Sequence, residues 1–245
     1  MTHILLSNLA IVACINFLAA FLQASIGFGY AMLAMSLMPL ILPMRICSAV
    51  SAGVVVTIGI QMVVMLRKHL DFRVCVVPVL FCILFTNVGM YFLMHWPERV
   101  LRFFLAALLL LLTAMSYLFE KKGIVLKMTW LNSILAGAVT GISTGMFNIV
   151  GPFFMIYYFN ICKNNLCFKA SMEFSFLAAG LYSLLLHAIY GNINAQAAPY
   201  LIASSVAAFA AGFAGIRLFK RLNRKLMCRL IYLVLPVMAF CLQKK

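Results

Sequence analysis

Residues 130–161 read WLNSILAGAVTGISTGMFNIVGPFFMIYYFNI and contain no charged side chain. A helix of about 20 apolar residues crosses the hydrocarbon core of a bilayer, so this run is too long for one crossing. Its middle, from Thr140 to Pro152, is rich in glycine and small polar residues and ends in Gly-Pro, a composition that weakens a helix. The stretch therefore predicts a membrane-embedded helix that is broken near its middle.

A second uncharged run, residues 4–44, has the same design and is interrupted by the sequence QASIGFGY at residues 23–30. Adding 121 to a residue number overlays the two interrupted runs and the segments that follow them. The same offset pairs Ala49 with Ala170, Asp71 with Asn192 and Pro78 with Pro199. Internal repeats of this size are common in secondary transporters. We therefore predict a first membrane repeat in residues 1–122 and a second in residues 123–245.

Hydrophobicity extends over the whole chain, with 66% hydrophobic and 9% charged residues, whereas a soluble domain carries about 25% charged residues. The apolar regions are 4–44, 46–66, 73–94, 100–119, 130–161, 168–189, 196–216 and 226–242. The predicted fold is an all-α integral membrane protein with about eight hydrophobic regions in two inverted four-element repeats. The first element of each repeat is a broken helix or hairpin. We expect a multi-pass protein of the cell (inner) membrane, in contact with the lipid bilayer.

The chain is strongly basic, with 19 Lys and Arg against 4 Asp and Glu. These basic residues lie almost entirely at the ends of apolar runs, which indicates topology and lipid headgroup contact rather than nucleic-acid binding. The eight cysteines form no C-x-x-C pair and have no histidine at zinc-finger spacing, so neither a metal site nor another cofactor is expected. The sequence leaves open whether the protein forms a homo-oligomer.

The basic residues also test the topology. If each interrupted run crosses the membrane once, the two sides receive 11 and 8 basic residues. If each run enters and returns, one side receives 14 and the other 5, which the positive-inside rule favours. The larger set is Arg67, Lys68, Arg73, Lys121, Lys122, Lys127, Lys163, Lys169, Arg217, Lys220, Arg221, Arg224, Lys225 and Arg229. Each repeat then has three spans after its hairpin, and this odd number inverts the second repeat.

Two stretches resemble the signatures of the sulfite exporter TauE/SafE family. They are Gly27-Phe28-Gly29-Tyr30 followed by Pro39-Leu40-Ile41-Leu42, and Ser143-Thr144-Gly145-Met146-Phe147-Asn148-Ile149-Val150-Gly151-Pro152. The duplicated layout agrees over nearly the whole chain. The family often has three consecutive glycines in each signature, where this chain has Phe28, Tyr30, Asn148 and Val150. The resemblance implies a membrane protein that moves sulfite, organosulfonates or related small anions.

The two interruptions are the candidate substrate site. A half-helix that starts inside the membrane exposes free backbone N–H groups and a positive dipole end, which suits an anion. The predicted substrate-binding residues are Gln23, Ser25, Gly27, Gly29, Ser143, Thr144, Gly145, Asn148, Gly151 and Pro152. The alternative interpretation is that these glycines only allow close helix packing.

Four further residues are candidates for coupling or gating: Glu173, Lys169, Tyr157 and His187. Glu173 is the only acid well inside an apolar segment, where a carboxylate often marks an ion path. Lys169 lies four residues earlier, so a structural ion pair is the alternative. His187 is open to a titrating or a hydrogen-bonded packing role, and Tyr157 follows the Gly-Pro closely enough to line a pathway.

The function that these features predict is secondary transport of a small anion. No G-x-x-x-x-G-K-[ST] loop is present, which excludes ATP-driven transport by this chain alone. No cluster of acids, histidines and cysteines indicates an enzyme. The alternative is a membrane helper subunit that binds a partner membrane protein.

The charge distribution predicts that both termini lie outside the cytoplasm. Reporter fusions at the two ends measure this directly, with a periplasmic reporter expected to be active at each. A cytoplasmic location of both termini would contradict the hairpin arrangement.

Overall fold

The computed structural model describes residues 2–122, 129–162 and 164–219, which contain nine α-helices. They are α1 (Thr2–Ile26), α2 (Tyr30–Leu37), α3 (Met44–Leu66), α4 (Phe72–His95), α5 (Glu98–Lys122), α6 (Trp130–Phe147), α7 (Gly151–Ile161), α8 (Asn165–Ile189) and α9 (Ala197–Phe219). Two single turns of 3-10 helix, Met38–Leu40 and Arg67–His69, follow α2 and α3. The predicted all-α character is confirmed over these residues, and the predicted region 226–242 lies outside them.

Several of these helices have the length and composition of membrane spans. Within the described ranges, five meet both criteria: Leu6–Ile26, Met44–His69, Phe72–His95, Asn165–Ile189 and Ala197–Phe219. Most of their outward side chains are apolar, and Val206, Leu80 and Ile189 are more than half exposed. Such continuous apolar surface is unfavourable in water and is matched by lipid tails. The chain is a multi-pass membrane protein.

Both interrupted runs are broken where the sequence predicts. The first run ends α1 at Ile26 and restarts at Tyr30, and the second ends α6 at Phe147 and restarts at Gly151. The two breaks, residues 27–29 and 148–150, coincide when 121 is added to the first. Gly27 and Asn148 both have positive φ, 108° and 55°, a conformation that glycine and asparagine tolerate best.

Two helix pairs form close seams, α4 with α6 and α1 with α9. In the first seam a Cβ on Gly137 would lie 2.3 Å from the Pro78 carbonyl oxygen, and one on Gly145 would lie 2.2 Å from the Thr86 oxygen. Residue numbers rise together along both helices, so α4 and α6 run parallel. The 121 offset relates α1 to α6 and α4 to α9, so the two seams join corresponding elements.

The seam between α1 and α9 is also parallel. Asn16 donates to Ser204 at 3.0 Å, and a Cβ on Gly215 would lie 2.4 Å from the Ala24 Cβ. Small residues let the two backbones approach this closely, which is how helices without a hydrophobic driving force associate in a bilayer.

Helices α3 and α8 form the centre of the molecule and run antiparallel. Gly59 on α3 packs against Leu177 on α8, whereas Ser48 binds His187 near the far end of α8. α3 itself runs parallel to α9, because Gly53 meets Leu201 and Gln61 donates to the Phe209 carbonyl.

At each break a short helix returns the chain, so the long helices before and after it point the same way. Since α1 and α3 are both parallel to α9, they point the same way, and the short helix α2 returns the chain between them. On the opposite side, α4 is parallel to α8, because Cys75 contacts Ser171 and Asn87 accepts from Tyr182 at 2.9 Å. α6 and α8 consequently point the same way, with the short helix α7 between them.

The α4–α6 seam predicts a strong size limit at Gly145. Gly145→Ala should lower the free energy of unfolding by about 1–3 kcal/mol, because the new methyl group meets the Thr86 carbonyl. The measurement is the Tm of the detergent-solubilised protein. Gly53→Ala is the matched control, because the atoms nearest its methyl group belong to the flexible Leu201 side chain and not to backbone. Equal Tm values for the two variants would contradict the seam.

Candidate functional site

The two breaks line one small pocket between α3 and α8, a cavity of about 10 Å³, which is the size of a single water site. Gln23, Gly29 and Tyr30 contribute from the first break, and Asn148, Val150 and Gly151 from the second. Val55 and Phe176 complete the wall, and each lies at the middle of its long helix. The pocket therefore lies halfway along the two central helices.

Two helix N-termini meet at this pocket. The first turn of α2 supplies Tyr30, Ala31 and Met32 to its wall, and α7 starts there at Gly151. Neither helix has a side-chain cap. The amides of a first turn have no partner within their own helix, and the aligned peptide dipoles make such an end positive. This arrangement suits an anion better than a cation.

Glycine sets the distance between the two breaks. A Cβ on Gly151 would lie 3.0 Å from the Phe28 Cβ and 3.7 Å from the Phe176 ring. Any larger residue at position 151 would push the two segments apart or enter the pocket.

Asn148 is the most available polar side chain of the pocket. It is fully buried, and its amide nitrogen lies 3.4 Å from the Ser51 hydroxyl, a long hydrogen bond. Its amide oxygen has no hydrogen-bond partner within the described part of the chain. The unpaired oxygen is an acceptor, so a bound anion would use the amide nitrogen, whose hydrogen bond to Ser51 is long, rather than this oxygen.

The predicted hydroxyl donors are instead committed to the backbone. Ser25 donates to the Phe21 carbonyl at 2.6 Å, and Thr144 to the Thr140 carbonyl at 2.7 Å. Ser143 donates to the Ile149 carbonyl at 2.7 Å. The Ser143 hydroxyl thus satisfies a carbonyl that the second break leaves without a helical partner.

The structure separates the predicted binding residues into two groups. Gln23, Gly29, Asn148 and Gly151 line the pocket. The others lie beside it: Ser25, Gly27, Ser143, Thr144 and Gly145, with Gly145 in the α4–α6 seam. The side chain of Pro152 lies outside the described structure. Substrate binding by these ten residues remains a prediction.

A buried charge pair adjoins the first break. The Lys169 Nζ lies 2.8 Å from the Glu173 Oε1, and both side chains are fully buried. Nζ also donates to the Gln23 carbonyl at 2.6 Å, and the Gln23 amide donates to the Glu173 Oε2 at 3.1 Å. Gln23 therefore connects the charge pair to the pocket.

The other two coupling candidates are held away from the pocket. The Tyr157 hydroxyl binds Ser133 at 2.7 Å and ties α7 to α6. The His187 ring binds Ser48 at 3.1 Å through Nε2 and Asn192 at 3.0 Å through Nδ1. Both rings therefore bridge elements, and coupling or gating by the four candidates stays a prediction.

Sequence reasoning did not select Val55, Phe176 or Ser51 as site residues. Each lies inside a long apolar helix, where it is indistinguishable from core or lipid-facing residues. Tyr30 carried a weak signal, because it replaces a glycine of the family signature. Only the crossing of α3 and α8 brings Val55, Phe176 and Ser51 to the breaks.

Comparison with known proteins gives one match. The model of a family described as sulfite exporter TauE/SafE matches residues 12–242, nearly the whole chain. No protein of curated function and no solved structure matches the chain. The match confirms the resemblance seen in the two glycine-containing signatures.

The left-handed backbone at Asn148 predicts that a glycine at this position gives a more stable protein than a valine. Asn148→Gly should retain the Tm of the solubilised protein within a few degrees, because glycine adopts φ of 55° without strain. Asn148→Val should lower the free energy of unfolding by about 1–2 kcal/mol or more, because a β-branched residue is strained there. A valine variant as stable as the glycine variant would contradict the observed break.

Proposed function

The chain belongs to the sulfite exporter TauE/SafE family, and we propose that it is a secondary transporter of a small anion such as sulfite or an organosulfonate. The observation that carries the proposal is the meeting of two helix N-termini at one pocket midway along the central helices. Broken helices whose N-termini face an anionic group are a recurring design of secondary transporters.

The chemistry of the pocket supports a small anion. Its lining residues carry no formal charge, so backbone amides and the Gln23 and Asn148 side chains are the donors. A compact oxyanion needs several convergent donors and little contact area. The glycines at positions 29 and 151 let the backbone approach such a ligand closely. The cavity of about 10 Å³ holds about one water molecule, so the anion binds when the two breaks move apart.

The helix directions support inverted repeats spanning residues 1–122 and 123–245. Helices α3 and α8 correspond under the 121 offset and run antiparallel. A two-fold axis in the membrane plane produces this relation, whereas an axis along the membrane normal would make corresponding helices parallel. The parallel arrangement of α1 and α3 supports a first element that enters the membrane and returns.

The same directions support an orientation in the cell (inner) membrane. The C-terminal ends of α3 and α9 and the N-terminal ends of α4 and α8 lie at one end, with Arg67, Lys68, Arg73 and Arg217. Arg45, Arg99 and Arg102 lie at the starts of α3 and α5, at the other end. The positive-inside rule places the first group in the cytoplasm.

The membrane potential is a sufficient energy source for export. An inside-negative potential assists the outward movement of an anion by about 2.3 kcal/mol per charge and per 100 mV. Nothing in the described residues specifically favours the helper subunit or an embedded enzyme.

Reconstitution of the purified chain in proteoliposomes tests the proposal. We expect flux of sulfite or of a small organosulfonate such as methanesulfonate, faster when an imposed potential favours anion movement. Empty liposomes provide the background. Absence of flux with these and other small anions, together with copurification of one partner membrane protein, would replace the transporter proposal by the helper subunit.

The pocket predicts that Gly151→Leu abolishes this flux while the protein still inserts in the membrane. The leucine side chain must enter the space between Phe28 and Phe176 that the anion needs. Asn160→Leu is the control on the same helix, because Asn160 donates to the Ile156 carbonyl one turn earlier and does not line the pocket. Normal flux through the Gly151→Leu variant would argue against this site.

A further inference from the structure

We propose that the Lys169 ammonium is a second anion-binding group, which Glu173 holds in this structure and which the substrate anion engages on its way to the pocket. This inference rests on the proposed function and names the cation that the anion meets. The binding chemistry is an ammonium group with an oxyanion of the sulfite or sulfonate class.

The charge pair lies one side chain away from the pocket. Nζ of Lys169 is 2.8 Å from the Glu173 carboxylate and 2.6 Å from the Gln23 carbonyl. The Gln23 amide donates to the other Glu173 oxygen at 3.1 Å, while Gln23 itself lines the pocket. The first break passes directly over the lysine, since a Cβ on Gly27 would lie 3.4 Å from its Cδ.

The position of the pair along α8 places it on a route. Lys169, Glu173 and Phe176 are spaced by four and three residues, so they share one face of the helix. Lys169 is near the N-terminal end of α8, at the end of the bundle where the exposed Arg67 and Lys68 follow α3. Phe176 lines the pocket. An anion that follows this face from the basic end passes Lys169 before it reaches the pocket.

Stability alone is a poor reason for this pair. Removing two charges from water costs about as much as their attraction returns, so apolar replacements are often neutral or stabilising. The order Lys before Glu is also the weaker one for a helix, and a cation near a helix N-terminus opposes the dipole. Ionisable residues inside a membrane typically mark ion pathways.

The second break has no counterpart to this pair. Subtracting 121 from the numbers of Lys169 and Glu173 on α8 gives Ser48 and Ala52 on α3, which carry no charge. The cation therefore lies on one side of the pocket only, the side of the basic end. Because the pocket lining is uncharged, Lys169 is the positive charge that compensates an anion entering from that side.

The exchange needs no covalent step. Glu173 keeps its hydrogen bond from the Gln23 amide while Nζ turns from the carboxylate to the anion, so both groups stay ionised. Glu173 thus competes with the anion for Lys169. Competition of this kind predicts that removal of the carboxylate charge strengthens anion binding and that removal of the ammonium weakens it.

The test is sulfite binding by the full-length solubilised chain, measured as the sulfite-dependent rise in Tm. In Glu173→Gln the apparent Kd for sulfite should fall about tenfold, as a close charge competitor is lost. In the double variant Lys169→Gln/Glu173→Gln it should rise about tenfold above that of the wild type, because the cation is gone. The double variant contains no unpaired buried charge, so it keeps the test informative if Glu173→Gln does not fold.

Glu98→Gln is the matched control. It removes the same charge from another i,i+4 pair, Glu98 with Arg102 at 2.7 Å on the exposed surface. Its Kd should equal that of the wild type. The inference is overturned if Glu173→Gln and the double variant both bind sulfite with the affinity of the wild type. It is also overturned if the wild type does not bind sulfite. If the wild type transports sulfite and the variants bind sulfite with unchanged affinity, this inference alone is refuted. If the variants show the expected changes in Kd but the wild type gives no flux in proteoliposomes, only the proposed function is refuted.

Discussion

A peptide group in the hydrocarbon core of a bilayer has no water to bind, and this constraint governs the two breaks on which the structure depends. Each break leaves carbonyls at the end of one half-helix and amides at the start of the next. The carbonyls are satisfied locally: Gln23 accepts from the Gly27 amide and the Lys169 ammonium, and Ile149 accepts from the Ser143 hydroxyl. The residues at the starts of α2 and α7 line the pocket, and the amides of a first helical turn have no partner within their own helix.

The close helix seams hold these breaks in place. Glycines at 137, 141 and 145 bring α6 against the carbonyls of α4, and small residues do the same for α1 and α9. Each seam joins a broken element of one predicted repeat to an element of the other. Close packing therefore ties each broken helix to a helix of the other predicted repeat.

Much of this could be predicted from the sequence. The uncharged runs were too long for one crossing, and their glycine-rich centres placed the breaks at residues 27–29 and 148–150 to within a few residues. The binding residues were harder. Hydroxyl groups at Ser25, Ser143 and Thr144 look like ligands in the sequence, but a hydroxyl inside a helix can bond to the carbonyl one turn earlier, and those of Ser25 and Thr144 do so. Val55 and Phe176 gave no signal, because an apolar residue in a spanning helix reveals nothing about what it faces.

The sequence by itself determined membrane residence, helical class, the positions of the breaks and the basic end, because each follows from local composition and from charge along the chain. Only the tertiary structure decided that α3 and α8 cross antiparallel at their middles, that both breaks reach one pocket and that Gln23 links it to the buried Lys169–Glu173 pair. Those features join residues up to 150 positions apart. They depend on how closely two helix backbones pack against each other, and this cannot be read from residues that are adjacent in the sequence.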